Sequence, residues 1–99
     1  MKIDDNTLKL AQEITQIIGV SGNERYISKA LQAHYKKYAD EIVFDNLGSV
    51  FAVKRCGKKN AKKVMISANM DEIGFMVNGI TDNGLLKILP LGTILNQTI

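Results

Sequence analysis

The sequence has 99 residues, enough for one small domain, and its composition of 45% hydrophobic and 23% charged residues is typical of a globular protein. No apolar stretch approaches the ~20 residues of a membrane helix, and the N-terminus lacks a signal peptide's apolar core, so we expect a cytoplasmic protein without membrane partners. One cysteine, Cys56, and one histidine, His34, exclude an internal disulfide and a zinc finger within the chain.

The net charge of +3 comes from one local cluster. Six of the 13 basic residues lie in KRCGKKNAKK, residues 54–63, and the other seven stand against ten acidic residues. The cluster has no aromatic residue, whereas a nucleic-acid module is expected to combine a basic face with aromatic or Arg-rich reading elements. We interpret it as a solvated loop between two strands, with weak nucleic-acid or phosphate binding as the alternative.

Two helical patterns open the chain. Apolar residues recur at helical spacing over residues 6–18, with capping candidates before them and Gly19 as a stop after them. Ser21 and Glu24 have the spacing of a capping box, which predicts a second helix running to about Tyr38.

The rest of the chain is predicted to form strands. Residues 41–55 read as a hairpin, and 63–69, KVMISAN, as an interior strand covered on both faces. Residues 72–80 and 85–91 form a further strand pair, joined by a turn at Asn83-Gly84. Helices followed by strands predict an α/β (or α+β) fold, in which two helices pack on a partial β-sheet.

The stretch SANMDEIGFMV, residues 67–77, contains the candidate site. Asn69, Asp71 and Glu72 follow the most apolar predicted strand, and ligands commonly bind at the C-terminal ends of strands. Asp71 and Glu72 are therefore candidates for orienting a ligand or acting as a base. The alternative is that both carboxylates are solvated at a corner between two strands.

Three segments in this order and spacing carry a family resemblance: GVSGNE, DNLGSVFAVK and VMISANMDEIGFMV. They resemble the N-terminal part of the glutamyl-aminopeptidase and tetrahedral (TET) aminopeptidases, some of which are named endoglucanases. The resemblance implies metal-assisted removal of N-terminal residues from peptides, with two divalent ions, zinc or cobalt, activating a water molecule.

The resemblance also assigns residues. Asp71 matches the acid that orients a metal-binding imidazole, and Glu72 matches the acid after it, to which no direct catalytic role is assigned. Asn69 stands where the family has the metal-binding histidine, so that ligand is expected to be lost, by natural change or by an introduced substitution. The remaining ligands and the general base come from much later in the family's chains. We therefore expect this chain to bind no metal stably and to be inactive alone.

The resemblance divides the chain in two. Residues 1–72 correspond to the start of a zinc-peptidase-like catalytic domain, and 73–99 to the opening strands of an inserted β-domain used in oligomerisation, here truncated. Unpaired strand edges and exposed apolar surface then predict a homo-oligomer or association with other chains. A non-catalytic interaction module that binds full-length relatives is the alternative function.

Overall fold

The structure is a computed structural model that describes residues 3–94. It consists of two helices followed by two antiparallel strand pairs: α1 (Asp5–Gln16), α2 (Arg25–Tyr35), β1 (Glu41–Phe44) with β2 (Val50–Val53), and β3 (Gly74–Ile80) with β4 (Leu86–Leu91). The pairs form separate two-stranded sheets. The predicted mixed α/β class is confirmed. No helix among residues 3–94 is long and apolar enough to cross a membrane.

Helix α1 begins as its sequence predicts. The Asp4 carboxylate accepts hydrogen bonds from the backbone N–H groups of Asn6 and Thr7, both at 2.9 Å. These two groups have no partner within the helix, so the cap stabilises its first turn. The same bonds, led by one from the Thr7 hydroxyl, lower the pKa of Asp4 below its usual value.

Helix α2 begins later than predicted, and the capping-box prediction was wrong. The helix starts at Arg25, and its cap residue Glu24 makes no side-chain capping bond. A turn forms before it, in which Asn23 N–H donates to the Val20 carbonyl at 2.8 Å and Gly22 takes a φ of +86°. This turn uses the residues that the capping box would have needed, and the Glu24 carboxylate accepts from the Gly22 N–H at 2.6 Å instead.

The second helix links the first helix to the first hairpin. It contacts both α1 and β2, and His34 Nε2 lies 3.3 Å from a carboxylate oxygen of Glu13 in α1. His34 is half-buried in this contact. Among the hydrophobic side chains of residues 3–94, Ile27 alone is buried, with 3% exposure. The Cα radius of gyration is 18.2 Å, against about 13 Å for a compact domain of this length.

The two hairpins follow their predicted turns. Asp45 Oδ1 accepts from the backbone N–H groups of Leu47 and Ser49 at 2.9 and 2.8 Å, which closes the β1–β2 turn. In the β3–β4 turn, Gly84 has the left-handed φ of +83° that its glycine permits. A bulge between Val77 and Gly79 interrupts the β3–β4 register. Of the predicted second domain, residues 95–99 lie outside the described residues.

The predicted interior strand over residues 63–69 does not form, so that prediction was wrong. These residues have no regular secondary structure, and the side chains of Val64, Met65 and Ile66 are 86%, 78% and 94% exposed. A strand buried on both faces needs hydrogen-bonded neighbours and covering layers, and β1–β2 and β3–β4 each pair only with themselves. The apolar pattern therefore indicates a preference for a buried strand, but no strand of residues 3–94 pairs with this segment.

Candidate functional site

The candidate site is the joint, residues 69–72. It connects the apolar segment, residues 63–68, to β3. The joint is held by the loop between the helices, residues 17–24. Glu72 N–H donates to the Gly19 carbonyl at 2.8 Å, and the Gly19 N–H donates to Glu72 Oε1 at 3.0 Å. Val20 and Glu72 form an isolated parallel β-bridge at the same place. The backbone of the joint is thus fixed to a loop some fifty residues earlier in the chain.

Two glycines allow this loop to approach closely. A Cβ on Gly74 would lie 2.3 Å from Val20 Cγ1, and one on Gly19 would lie 2.7 Å from Ile27 Cγ2. Neither distance is compatible with a real side chain, so both positions require glycine for space. The loop is therefore packed against α2 on one side and against the start of β3 on the other.

Asn69 and Asp71 both line an open hollow of about 950 Å³. Asn69 is exposed and Asp71 is half-buried. The hollow is lined mainly by apolar side chains of both helices, of β2 and of the apolar segment. Among them are Ile14, Leu31, Tyr35, Val53 and Ile66. The hollow is open to solvent, and its polar groups include those of the joint.

The residues present do not fit a two-metal centre. Within residues 3–94, no three His, Cys, Asp or Glu side chains are grouped closely enough to hold a metal ion. Asn69 offers an amide oxygen, which suits hard ions such as Ca²⁺ better than zinc. The histidine of the chain, His34, is engaged with Glu13 in the α1–α2 contact.

The basic loop, residues 54–63, is exposed throughout, and its first two cations are paired. Lys54 Nζ lies 3.0 Å from Asp40 Oδ1, and the Arg55 guanidinium bonds to Glu41. The backbone N–H of Arg55 also donates to Asp40 Oδ2 at 2.6 Å. This bond and the Lys54 ammonium lower the pKa of Asp40. Part of the loop's positive charge is therefore balanced locally.

Sequence reasoning located the joint but missed its anchor. Gly19 was interpreted only as a helix stop, and nothing in the local pattern around Glu72 indicates a bond to a residue 53 positions away. The parallel bridge between Val20 and Glu72 depends on how the helices meet β3, which local spacing does not encode.

Comparison with known proteins identifies the family. Residues 48–99 match the family model described as M42 glutamyl aminopeptidase. The chain belongs to the M42 glutamyl aminopeptidase family. This confirms the resemblance drawn from the sequence.

Relatives in this family share both sequence and fold with the chain. It is 40% identical over 92 residues to the lysyl aminopeptidase of Pyrococcus furiosus, an alignment covering 92% of the chain and 26% of that protein. The crystal structure of a TET aminopeptidase from Thaumarchaeota archaeon SCGC AB-539-E09 superposes with a TM-score of 0.78 at 30% identity, covering 94% of the chain and 26% of its own. An endoglucanase of Thermotoga maritima superposes with a TM-score of 0.68 at 35% identity, covering 83% and 26%. The chain spans about a quarter of the length of the curated relatives it matches.

Proposed function

We propose that this chain supplies the N-terminal part of a metal-dependent aminopeptidase that removes N-terminal residues from peptides. Residues 1–72 are the start of its catalytic domain, and 73–99 are the first strands of an inserted β-domain. The observation that carries the proposal is the match of residues 48–99 to an aminopeptidase family, with the joint inside the matched segment. The family resemblance adds zinc or cobalt as the ions, and a cytoplasmic location is part of the proposal.

The 99-residue chain is not a competent peptidase by itself. Asn69 replaces the histidine ligand that the family resemblance implies, and residues 3–94 hold no group of three His, Cys, Asp or Glu side chains that could bind an ion. An aminopeptidase of this type needs both a bound metal pair and a general base. In this chain Asp71 keeps its role of orienting the ligand position, and Glu72 supports the joint.

Activity is tested with a panel of aminoacyl-p-nitroanilides, in the presence of zinc or cobalt and then with a chelator. The lysyl aminopeptidase of Pyrococcus furiosus, assayed in parallel on lysyl-p-nitroanilide, is the positive control. We expect no turnover by the purified chain above the rate in buffer. Hydrolysis by this chain that the chelator abolishes would falsify the proposed inactivity.

The role of position 69 is tested separately from activity. Zinc and cobalt are titrated by calorimetry into the wild-type chain and into Asn69→His. Binding by the histidine variant alone would support position 69 as a ligand position, because a neutral imidazole is a much better zinc ligand than an amide. Tight binding by the wild-type chain would contradict the loss of the ligand.

A second candidate function is association with full-length relatives as a non-catalytic module. The observation that favours it is the exposed apolar surface at Val64, Met65 and Ile66 beside an apolar hollow. Apolar surface of this kind commonly marks a contact with another chain. Light scattering of the chain alone and mixed with a full-length relative tests this, and a mixture that shows only the masses of the two separate proteins would exclude it.

Nucleic-acid binding through residues 54–63 receives less support. Lys54 and Arg55 are paired with acidic side chains, which leaves fewer cations for phosphates. Binding driven by phosphate contacts falls steeply with salt concentration. We expect no retention of the chain on a DNA or RNA column at about 0.1 M salt, and salt-sensitive retention would restore this function.

A further inference from the structure

The two neighbouring carboxylates of the joint, those of Asp71 and Glu72, have different contacts. Asp71 lines the hollow together with Asn69. The Glu72 carboxylate is bonded instead to the backbone of the interhelical loop, at Gly19. Glu72 is not among the residues that line the hollow, so the two neighbouring carboxylates lie in different surroundings.

The contact at Glu72 is a clamp made of two hydrogen bonds that run in opposite directions. The Gly19 N–H donates to Glu72 Oε1 at 3.0 Å, and the Glu72 N–H donates to the Gly19 carbonyl at 2.8 Å. The first bond is partly buried. It is the side-chain contribution to the clamp, so it can be removed without deleting backbone.

Packing around the clamp leaves the loop little freedom to move. Val20 lies against Gly74, and Gly19 lies against the buried Ile27, both at separations that exclude a Cβ. The loop is therefore closely packed at Gly19 and Val20, and a residue bonded to it there has a defined position. Asp71, one residue before Glu72, has no such anchor of its own at the loop and depends on this neighbour for its direction.

We infer that Glu72 is a positioning residue whose carboxylate clamps the joint to Gly19 and thereby sets how Asp71 faces the hollow. Glu72 itself takes no part in proton transfer. The inference rests on the proposed function only in taking the joint as the edge of the site. It assigns the two acids separate tasks: Asp71 faces the ligand side, and Glu72 holds the backbone that presents it.

The clamp is tested by nuclear magnetic resonance on the full chain, with three variants at one position. Glu72→Gln keeps the length and an oxygen acceptor but removes the charge. Glu72→Asp keeps the charge but is one methylene shorter, and Glu72→Ala removes the acceptor. Asp4→Ala is the control, because the Asp4 carboxylate also accepts from backbone amides, those of Asn6 and Thr7, but does not line the hollow.

We expect the Gly19 amide to exchange about tenfold faster in the Ala and Asp variants and within about twofold of wild type in the Gln variant. The amide shifts of Asn69 and Asp71 should move in the Ala and Asp variants at position 72, stay near wild type in Glu72→Gln, and be unaffected by Asp4→Ala. If the Ala variant does not fold, the comparison of Gln with Asp decides.

Two results would overturn the inference. Wild-type exchange of the Gly19 amide in Glu72→Asp but not in Glu72→Gln would mean that the contact depends on the charge of the side chain and not on its length. Faster Gly19 exchange with unchanged shifts at Asn69 and Asp71 would mean that Glu72 holds the loop without positioning the joint. Neither measurement involves turnover or metal, so a negative result leaves the proposed peptidase function to be judged by its own assay.

Discussion

Replacing Gly74 with alanine should destabilise the chain by crowding the interhelical loop. The added Cβ would lie 2.3 Å from Val20 Cγ1 and 3.4 Å from Val20 Cβ. Gly74 is not among the glycines with positive φ, so the cost is steric and not conformational. Inserting a methyl group into a close contact typically costs 1–3 kcal/mol, and we expect the free energy of unfolding to fall by about 2 kcal/mol.

The assay is urea unfolding followed by far-ultraviolet circular dichroism, with a control in the same strand. Gly79→Ala also adds a methyl group to β3, but its Cβ would meet only Lys87 Cδ at 3.9 Å, an ordinary contact with a flexible side chain. We expect this control to change the unfolding free energy by no more than about 0.5 kcal/mol. The difference between the two variants isolates the contact with Val20.

A double variant identifies the clashing atom. Val20→Ala removes Cγ1, so Gly74→Ala made in that background should cost almost nothing beyond Val20→Ala alone. This non-additivity is the signature of two residues in direct contact. Equal midpoints for Gly74→Ala and Gly79→Ala, or an undiminished cost in the Val20→Ala background, would refute the close approach of the loop to β3.

Three other perturbations test separate parts of the chain. The Arg55 amide and the Lys54 ammonium lower the pKa of Asp40 below its usual value of 3.8. The contribution of Asp40 to stability is therefore present above that pH and is lost as the pH falls through the folded-state pKa. Asp40→Asn should flatten the acid response of the β1–β2 amide signals, and identical acid profiles for the two proteins would contradict this. Asp4→Ala removes the cap of α1 and should lower the midpoint of urea unfolding, while Asp4→Asn should leave that midpoint nearly unchanged. Ile66→Lys should reduce the self-association measured by light scattering without lowering the unfolding midpoint, because the Ile66 side chain is 94% exposed. Unchanged self-association would mean that the chain associates through another surface.

Local patterns predicted the elements that depend on near neighbours. The cap at Asp4, the turn at Asp45 and the left-handed Gly84 all use groups within a few residues of one another. Their physical determinants are side-chain oxygens near free backbone N–H groups and a missing Cβ. Such features are written in adjacent residue types, so they need no knowledge of the rest of the fold.

The same reasoning failed where neighbours in space decide. The apolar run at residues 63–69 predicted a buried strand, but no strand of residues 3–94 pairs with it. The capping box at Ser21 and Glu24 gave way to a turn that brings Val20 to Glu72. In both cases the local preference was real, and the available partners determined whether it was met.

The sequence by itself determined the order of helices and hairpins, because residue types at short spacing encode it, and the resemblance of three segments identified the family. It also predicts the candidate site at Asn69, Asp71 and Glu72. Only the tertiary structure decided that Glu72 turns to the Gly19 backbone while Asp71 faces the hollow. That division depends on a contact across 53 residues, made possible by two positions where a side chain would not fit. A contact of this kind exists only once the helices and β3 have met.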